Sequence, residues 1–108
     1  MDAGMSKFTI ADLEQRIQER ARASAEQSYT RQLLDRGVSQ CAKKFGEEAV
    51  EAALAAVGES RERLIGEAAD VLYHLLVMLK SRDITLAEVE ALLETRSKKS
   101  GLDEKASR

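Results

Sequence analysis

Two clusters of acidic residues interrupt stretches of the chain that are otherwise apolar or small. The first is Gly46-Glu-Glu-Ala-Val-Glu51, and the second is Glu67-Ala-Ala-Asp70. Residues three or four positions apart share one face of an α-helix, so Glu48 and Glu51 face together, as do Glu67 and Asp70. Four carboxylates that converge without a counter-ion repel one another. The spacing therefore predicts a cation site between two neighbouring helices.

Among the hard divalent cations that bind carboxylates, magnesium is the one that we favour for this site. It takes oxygen ligands and usually keeps room for water and substrate phosphates, so the clusters indicate phosphate chemistry. A ferritin-like di-iron site would need a Glu-x-x-His pair from each of two helices, and this chain has one histidine. Calcium, a transition metal and ordinary solvated helix charges are the alternatives. The joint pattern of two equally spaced clusters with apolar flanks favours Mg²⁺.

The composition limits the class of protein. At 108 residues the chain is expected to form one domain. With 17 basic and 19 acidic residues the net charge is −2, which gives no general attraction to nucleic acid or to an anionic membrane. A single cysteine, Cys41, excludes an internal disulfide. The chain has neither a signal-peptide pattern nor an apolar run of roughly 20 residues. We therefore expect a soluble cytoplasmic protein.

The elements that carry the acidic clusters are expected to be helices throughout. The chain has no proline and is rich in strong helix formers, which predicts an all-α fold, a compact bundle of four to five helices. The predicted helices cover residues 9–25, a short segment from Ser28 to Gly37, residues 39–57, residues 61–82, and a segment from the capping box Thr85-x-x-Glu88 to about Arg96. The third and fourth should form the central antiparallel pair.

Two further predictions concern organisation. The domain is expected to span residues 1–96, and residues 97–108 form a polar tail. The run from Val71 to Leu79 is apolar over more than one helical stripe. Such a helix is buried on several sides, in a bundle or at a subunit interface. We therefore expect a homodimer.

Four segments of the chain carry a resemblance to a known family. They are Ser28-Tyr29-Thr30, Lys44-x-Gly46-Glu47-Glu48, Glu67-Ala-Ala-Asp70-Val-Leu-Tyr73-His74 and Gly101-Leu-Asp-Glu-Lys105-Ala-Ser-Arg108. The acidic motifs resemble those of the all-α nucleoside triphosphate pyrophosphohydrolases of MazG-like fold. The first and last segments narrow the resemblance to the phosphoribosyl-ATP pyrophosphatase family, over roughly residues 8–108. With this length and one cysteine, the chain resembles the stand-alone form, without the cyclohydrolase domain.

The resemblance implies a reaction and a set of catalytic residues. The reaction is hydrolysis of 1-(5-phosphoribosyl)-ATP to 1-(5-phosphoribosyl)-AMP and pyrophosphate, the second step of histidine biosynthesis. By the motif match, the Mg²⁺ ligands are Glu48, Glu51, Glu67 and Asp70. Glu47 points roughly 100° away from Glu48 around the helix. It is expected to position water or to support a ligand.

The same resemblance suggests residues that bind the substrate. Lys44, Lys105 and Arg108 are expected to neutralise phosphate charge, and the C-terminal tail to order over the substrate. Lys44 has an alternative role as an ordinary i,i+4 pair with Glu48. Tyr29 and Thr30 are expected to stack on or hydrogen-bond to a base or ribose, with packing at a helix start as the alternative. His74 is left out of the catalytic set.

Two other functions are compatible with the same residues. A house-cleaning hydrolase of the same superfamily would act on dCTP or damaged nucleotides. A helical dimer that serves as a regulatory or assembly module would use its carboxylates structurally and would turn over no substrate. Comparison of substrates separates the two enzymes, and the substitution Glu48→Gln separates both from the module.

Overall fold

The computed structural model describes residues 7–98, which form five α-helices. In chain order these are α1 Ile10–Ala21, α2 Tyr29–Asp35, α3 Val38–Gly58, α4 Arg61–Ser81 and α5 Leu86–Ser97. The described residues contain no strand. The prediction of an all-α fold with four to five helices is confirmed.

Short polar side chains start four of these helices. Thr9, Ser28, Ser60 and Thr85 each accept a hydrogen bond from the backbone N–H three residues ahead, which satisfies a donor that the first turn leaves free. The start of α3 is different because Gly37 has φ = 92° and offers no side-chain cap. Glycine adopts this left-handed conformation without strain, and it allows the chain to turn directly from α2 into α3.

The first helix ends four residues earlier than the predicted residue 25, because α2 binds its last carbonyl groups. The hydroxyl of Ser28 donates to the carbonyl of Arg20 at 2.8 Å, and Nη1 of Arg31 donates to the carbonyl of Ala21 at 2.7 Å. The carbonyl of Ala21 is one that the helix end leaves without a backbone partner, whereas the carbonyl of Arg20 also accepts from the N–H of Ala23. The polar segment that follows then bends back toward α2, whereas helix propensity alone predicted continued helix.

The two long helices, α3 and α4, form the centre of the molecule. Only Glu59 and Ser60 separate them, so they run antiparallel, and they pack against each other more extensively than any other pair of helices. The buried core lies mainly at the end of this pair that α1 and α2 cover, and its members are Ile17, Leu33, Cys41, Leu76 and Val77. The thiol of Cys41 donates to the carbonyl of Leu33 at 3.4 Å. This cysteine is therefore a packing residue.

The other end of the central pair exposes large apolar side chains. We call this surface the apolar face and define it by Val50, Leu54 and Val57 on α3 with Ile65 and Leu72 on α4, all of which are exposed. Val57 is 88% exposed. Large exposed apolar side chains that recur along one helix face, as at 50, 54 and 57, are typical of an interaction site. The homodimer stays a prediction, since a single chain is described.

The predictions about a membrane span and about the polar tail can be compared with residues 7–98 only in part. Within this range, none of the helices combines the length and the hydropathy that crossing a lipid bilayer requires. The polar tail at 97–108 lies largely outside the described residues, although Ser97 is the last residue of α5. Lys105 and Arg108 lie entirely outside them.

Candidate active site

Three of the predicted metal ligands meet between α3 and α4. Glu48 projects from α3, whereas Glu67 and Asp70 project from α4, and each offers a carboxylate oxygen within 4.8 Å of the other two. Glu67 is only 6% exposed, Glu48 is half-buried and Asp70 is exposed. The cluster thus has a closed side at Glu67 and a side open to solvent at Asp70.

The electrostatics of this cluster oppose full ionisation of its acids. Burial raises the pKa of Glu48, and the negative charges of Glu51 and Asp70 raise it further. Burial also raises the pKa of Glu67, with Glu51 adding to the shift and Arg63 opposing it. A cation bound among these carboxylates would remove the repulsion, and hard oxygen donors are the ligands that Mg²⁺ takes.

The two oxygens of Glu67 have different surroundings. Oε2 lies 3.1 Å from Nη2 of Arg63 and forms an ion pair with it. Oε1 is buried and has no hydrogen-bond partner among the described residues. An unpaired buried carboxylate oxygen is costly, because it has lost its water without gaining a donor. The residues therefore fit a metal ion, which would give Oε1 a partner.

Glu51 and Glu47 lie at the edge of the cluster. Glu51 is exposed and is not one of the three residues whose oxygens converge. Burial is the main cause of the raised pKa of Glu48 and of Glu67, and the charge of Glu51 is the second cause in both. Glu47 is also exposed, and its Oε1 lies 3.4 Å from Nζ of Lys44. The assignment of Glu51 as a ligand and of Glu47 as a residue that positions water stays a prediction.

A lysine side chain, that of Lys44, lies one helical turn from the acidic residues. Lys44 is half-buried and forms its ion pair with Glu47 rather than with Glu48, the partner expected from i,i+4 spacing. Tyr29 and the hydrogen bond to Glu47 raise the pKa of Lys44, so its ammonium group stays charged at neutral pH. A positive charge at this position is suited to phosphate oxygens.

An aromatic group lies beside this lysine. The ring of Tyr29 is exposed and meets the ring of His74 edge to face, with 6.4 Å between the centroids. Tyr73 contacts the same imidazole from a second direction at 5.0 Å. Nδ1 of His74 is buried without a hydrogen-bond partner among residues 7–98. Burial and the Lys44 ammonium lower the pKa of His74, which favours the neutral imidazole.

Thr30 is less accessible than its neighbour Tyr29. It is 2% exposed, and its hydroxyl lies 2.6 Å from the hydroxyl of Tyr73, which joins α2 to α4. This bond holds α2, the helix that carries Tyr29, against α4. Direct contact between Thr30 and a substrate stays a prediction, as do the roles of Lys105 and Arg108.

Sequence reasoning missed one side chain of this site. Arg63 contacts Glu67 and also Glu59, with 2.9 Å between its Nε and Oε1 of Glu59. The spacing Glu59-x-x-x-Arg63-x-x-x-Glu67 is a double i,i+4 pattern and was a signal for this chain of charges. Glu67 belongs both to this pattern and to the acidic cluster, and the spacing alone does not show that one carboxylate serves both.

Comparison with known proteins identifies the family. A protein-family model described as phosphoribosyl-ATP pyrophosphohydrolase matches residues 10–97, which include every described residue of the site. The chain belongs to this family. It is accordingly an enzyme, a hydrolase, and the family resemblance is confirmed.

Similar proteins cover nearly the whole chain. A protein of Bradyrhizobium diazoefficiens named phosphoribosyl-ATP pyrophosphatase 1 is 61% identical over 96% of this chain and 98% of its own length. The protein of that name from Rhodopseudomonas palustris is 57% identical over 96% and 97%. Phosphoribosyl-ATP pyrophosphatase of Azorhizobium caulinodans is 55% identical over 94% of both chains.

Proposed function

We propose that this chain hydrolyses 1-(5-phosphoribosyl)-ATP to 1-(5-phosphoribosyl)-AMP and pyrophosphate, the second step of histidine biosynthesis. Full-length similarity to proteins named for this substrate supports the specificity. The observation that carries the chemistry is the convergence of Glu48, Glu67 and Asp70, with an unpaired buried oxygen on Glu67. A nucleotide substrate also implies a cytoplasmic enzyme, since such charged metabolites do not cross membranes unaided.

The proposed cofactor is Mg²⁺, held by Glu48, Glu67 and Asp70, with Glu51 as the fourth carboxylate. When bound, it supplies charge neutralisation for the pyrophosphate leaving group and activation of water. Glu67 would bind from the buried side of the cluster, and Asp70 from the solvent side. Glu47 is exposed next to Glu48 and would orient the attacking water by accepting a hydrogen bond from one of its O–H groups.

The remaining charge of the substrate is assigned to cationic side chains. Lys44 would contact a phosphate oxygen, because its ammonium group lies at the edge of the carboxylate cluster and stays protonated. Tyr29 presents an exposed ring on the same side, where a base or ribose attached to that phosphate would pack. We further propose, from the resemblance alone, that Lys105 and Arg108 bind phosphate when the tail closes over the substrate.

We also propose that the enzyme is a homodimer that pairs through its apolar face. Two antiparallel helices with an exposed apolar surface form half of a four-helix bundle, and a second copy supplies the other half. Glu47 and Glu51 each precede a residue of this face, Val50 and Leu54, by three positions. A second copy on the apolar face would therefore border the carboxylate cluster. With a net charge of −2, neither nucleic acid nor a membrane is expected as a partner.

The experiment that tests the reaction measures pyrophosphate release from phosphoribosyl-ATP, first with Mg²⁺ and then with EDTA. ATP and dCTP serve as parallel substrates. Metal-dependent release from phosphoribosyl-ATP alone is expected. Release mainly from dCTP would instead favour a house-cleaning hydrolase, and the absence of release from all three would contradict the proposed reaction.

A further inference from the structure

The guanidinium group of Arg63 lies between two carboxylates at the start of α4. Its Nε donates to Oε1 of Glu59 at 2.9 Å, and its Nη2 lies 3.1 Å from Oε2 of Glu67. Glu59 belongs to the short turn between α3 and α4, so the anchor comes from outside the helix that carries the arginine. A planar guanidinium that is fixed at one edge has little freedom to move at the other.

The ion pair with Glu67 differs from an ordinary surface pair. The side chain of Arg63 is 62% exposed, but that of Glu67 is only 8% exposed. Exposed pairs contribute little to stability because solvent screens them. Here the arginine approaches a buried carboxylate and engages only one of its oxygens, which leaves Oε1 unpaired on the buried side. The pair therefore determines the orientation of the carboxylate.

We propose that Arg63, held by Glu59, is a positioning residue that binds Oε2 of Glu67 and thereby presents Oε1 to the divalent cation. This inference rests on the proposed metal site. Groups that hydrogen-bond to a ligating carboxylate orient it and tune its affinity for the metal. Without Arg63, the Glu67 carboxylate is free to rotate, and the site loses a preorganised ligand.

The sign of the change in metal affinity distinguishes a positioning role of Arg63 from a purely electrostatic one. Removing a positive charge near a cation site should strengthen metal binding if only Coulomb interactions mattered. Loss of a positioning residue should weaken binding despite the smaller repulsion, by about 10-fold. The two interpretations thus predict changes of opposite sign for Arg63→Gln.

The test measures Mn²⁺ binding to the full chain without substrate, by the loss of the free-ion signal in electron paramagnetic resonance. Arg63→Gln is expected to raise the Kd about 10-fold, whereas the matched control Arg61→Gln, which removes an exposed positive charge from the same helical turn, should leave it within about twofold of the original value. In a Glu67→Gln background, Arg63→Gln should cause no further loss, because the effect passes through Glu67.

A second variant tests the anchor without altering Arg63. Glu59→Gln is expected to raise the Kd for Mn²⁺ more than Glu62→Gln, which removes the same charge from an exposed position in the first turn of α4. Thermal denaturation followed by circular dichroism confirms that each variant is folded. An unchanged or lower Kd in folded Arg63→Gln would overturn this inference alone, whereas no Mn²⁺ binding by the unsubstituted protein would overturn the proposed metal site as well.

Discussion

The ammonium group of Lys44 lies 3.4 Å from the carboxylate of Glu47, on the turn of α3 that also carries Glu48. The pair joins a residue proposed to bind phosphate to a residue proposed to position water. Because both side chains retain solvent contact, the ammonium can exchange this carboxylate for a phosphate oxygen without leaving the site.

Lys44→Gln should therefore weaken substrate binding. We expect kcat/KM for phosphoribosyl-ATP to fall about 10-fold or more, mainly through KM, because a charge-assisted hydrogen bond is lost. Lys43→Gln is the matched control, since Lys43 is adjacent and exposed. Steady-state kinetics at saturating Mg²⁺ measure both. Equal effects of the two substitutions would show that Lys44 does not bind the substrate.

Glu48→Gln should abolish most of the activity while the fold is retained. The substitution keeps the shape of the side chain but removes the charge that holds the cation, so kcat/KM should fall more than about 100-fold. Glu62→Gln, at an exposed position of α4, is the control. Pyrophosphate release measures the activity, and circular dichroism measures the fold. Activity retained in Glu48→Gln would contradict a catalytic metal at this cluster.

The metal-free enzyme should gain stability from its acidic cluster when the pH falls. The pKa values of Glu48 and Glu67 are raised in the folded state above their ordinary value of 4.5. The folded state therefore binds protons more readily, so this contribution is fully present below pH 4.5 and is lost as the pH rises through the folded-state values. Mg²⁺ should replace the protons and raise Tm most at high pH.

The measurement is Tm with EDTA or with Mg²⁺ between pH 5 and pH 8, for the unsubstituted protein and for Glu48→Gln. The difference between the two proteins isolates the cluster from other titrating groups, among them His74. If the difference in Tm between the two proteins does not change with pH, the pKa of Glu48 is not raised in the folded state.

His74 should remain neutral to a pH lower than an ordinary histidine does. Burial and the nearby Lys44 lower its pKa below the usual 6.5, and a proton on Nδ1 would have no acceptor among the described residues. Protonation in the unfolded state then destabilises the fold as the pH drops below 6.5. The chain has one histidine, so its imidazole resonances in an NMR titration are unambiguous. A midpoint at or above 6.5 would contradict the enclosed neutral ring.

Leu54→Glu should convert the proposed dimer into a monomer. The substitution places a charge in the centre of the apolar face, where it would be buried against a second copy without a partner. Phe8→Glu introduces the same charge at an exposed apolar side chain outside that face. Light scattering coupled to size-exclusion chromatography gives the mass. The proposed interface would be wrong if the unsubstituted protein is already a monomer, or if Leu54→Glu is still a dimer.

The helices and the acidic clusters were predictable because local rules determine them. The caps Ser60 and Thr85 start α4 and α5 where the sequence indicated, since a hydroxyl three residues before a free N–H is a local feature. The i,i+3 spacing of Glu67 and Asp70 likewise placed them on one face. Periodicity was sufficient for these features because no distant residue competes with them.

The contacts between helices were not predictable from the same rules. The early end of α1 depends on Ser28 and Arg31, which lie in the next helix. The bond between Thr30 and Tyr73 joins residues that are 43 positions apart. Spacing also could not distinguish the three converging carboxylates from Glu51, because that distinction depends on the packing of α3 against α4.

The two-residue turn between α3 and α4 has a consequence for how the enzyme becomes active during folding. The proposed metal ligands all lie on this one helical hairpin. Bringing them together closes a short loop, which costs little chain entropy and depends on contacts of low sequence separation. The cation site can therefore assemble once this hairpin has formed, before the three shorter helices are in place.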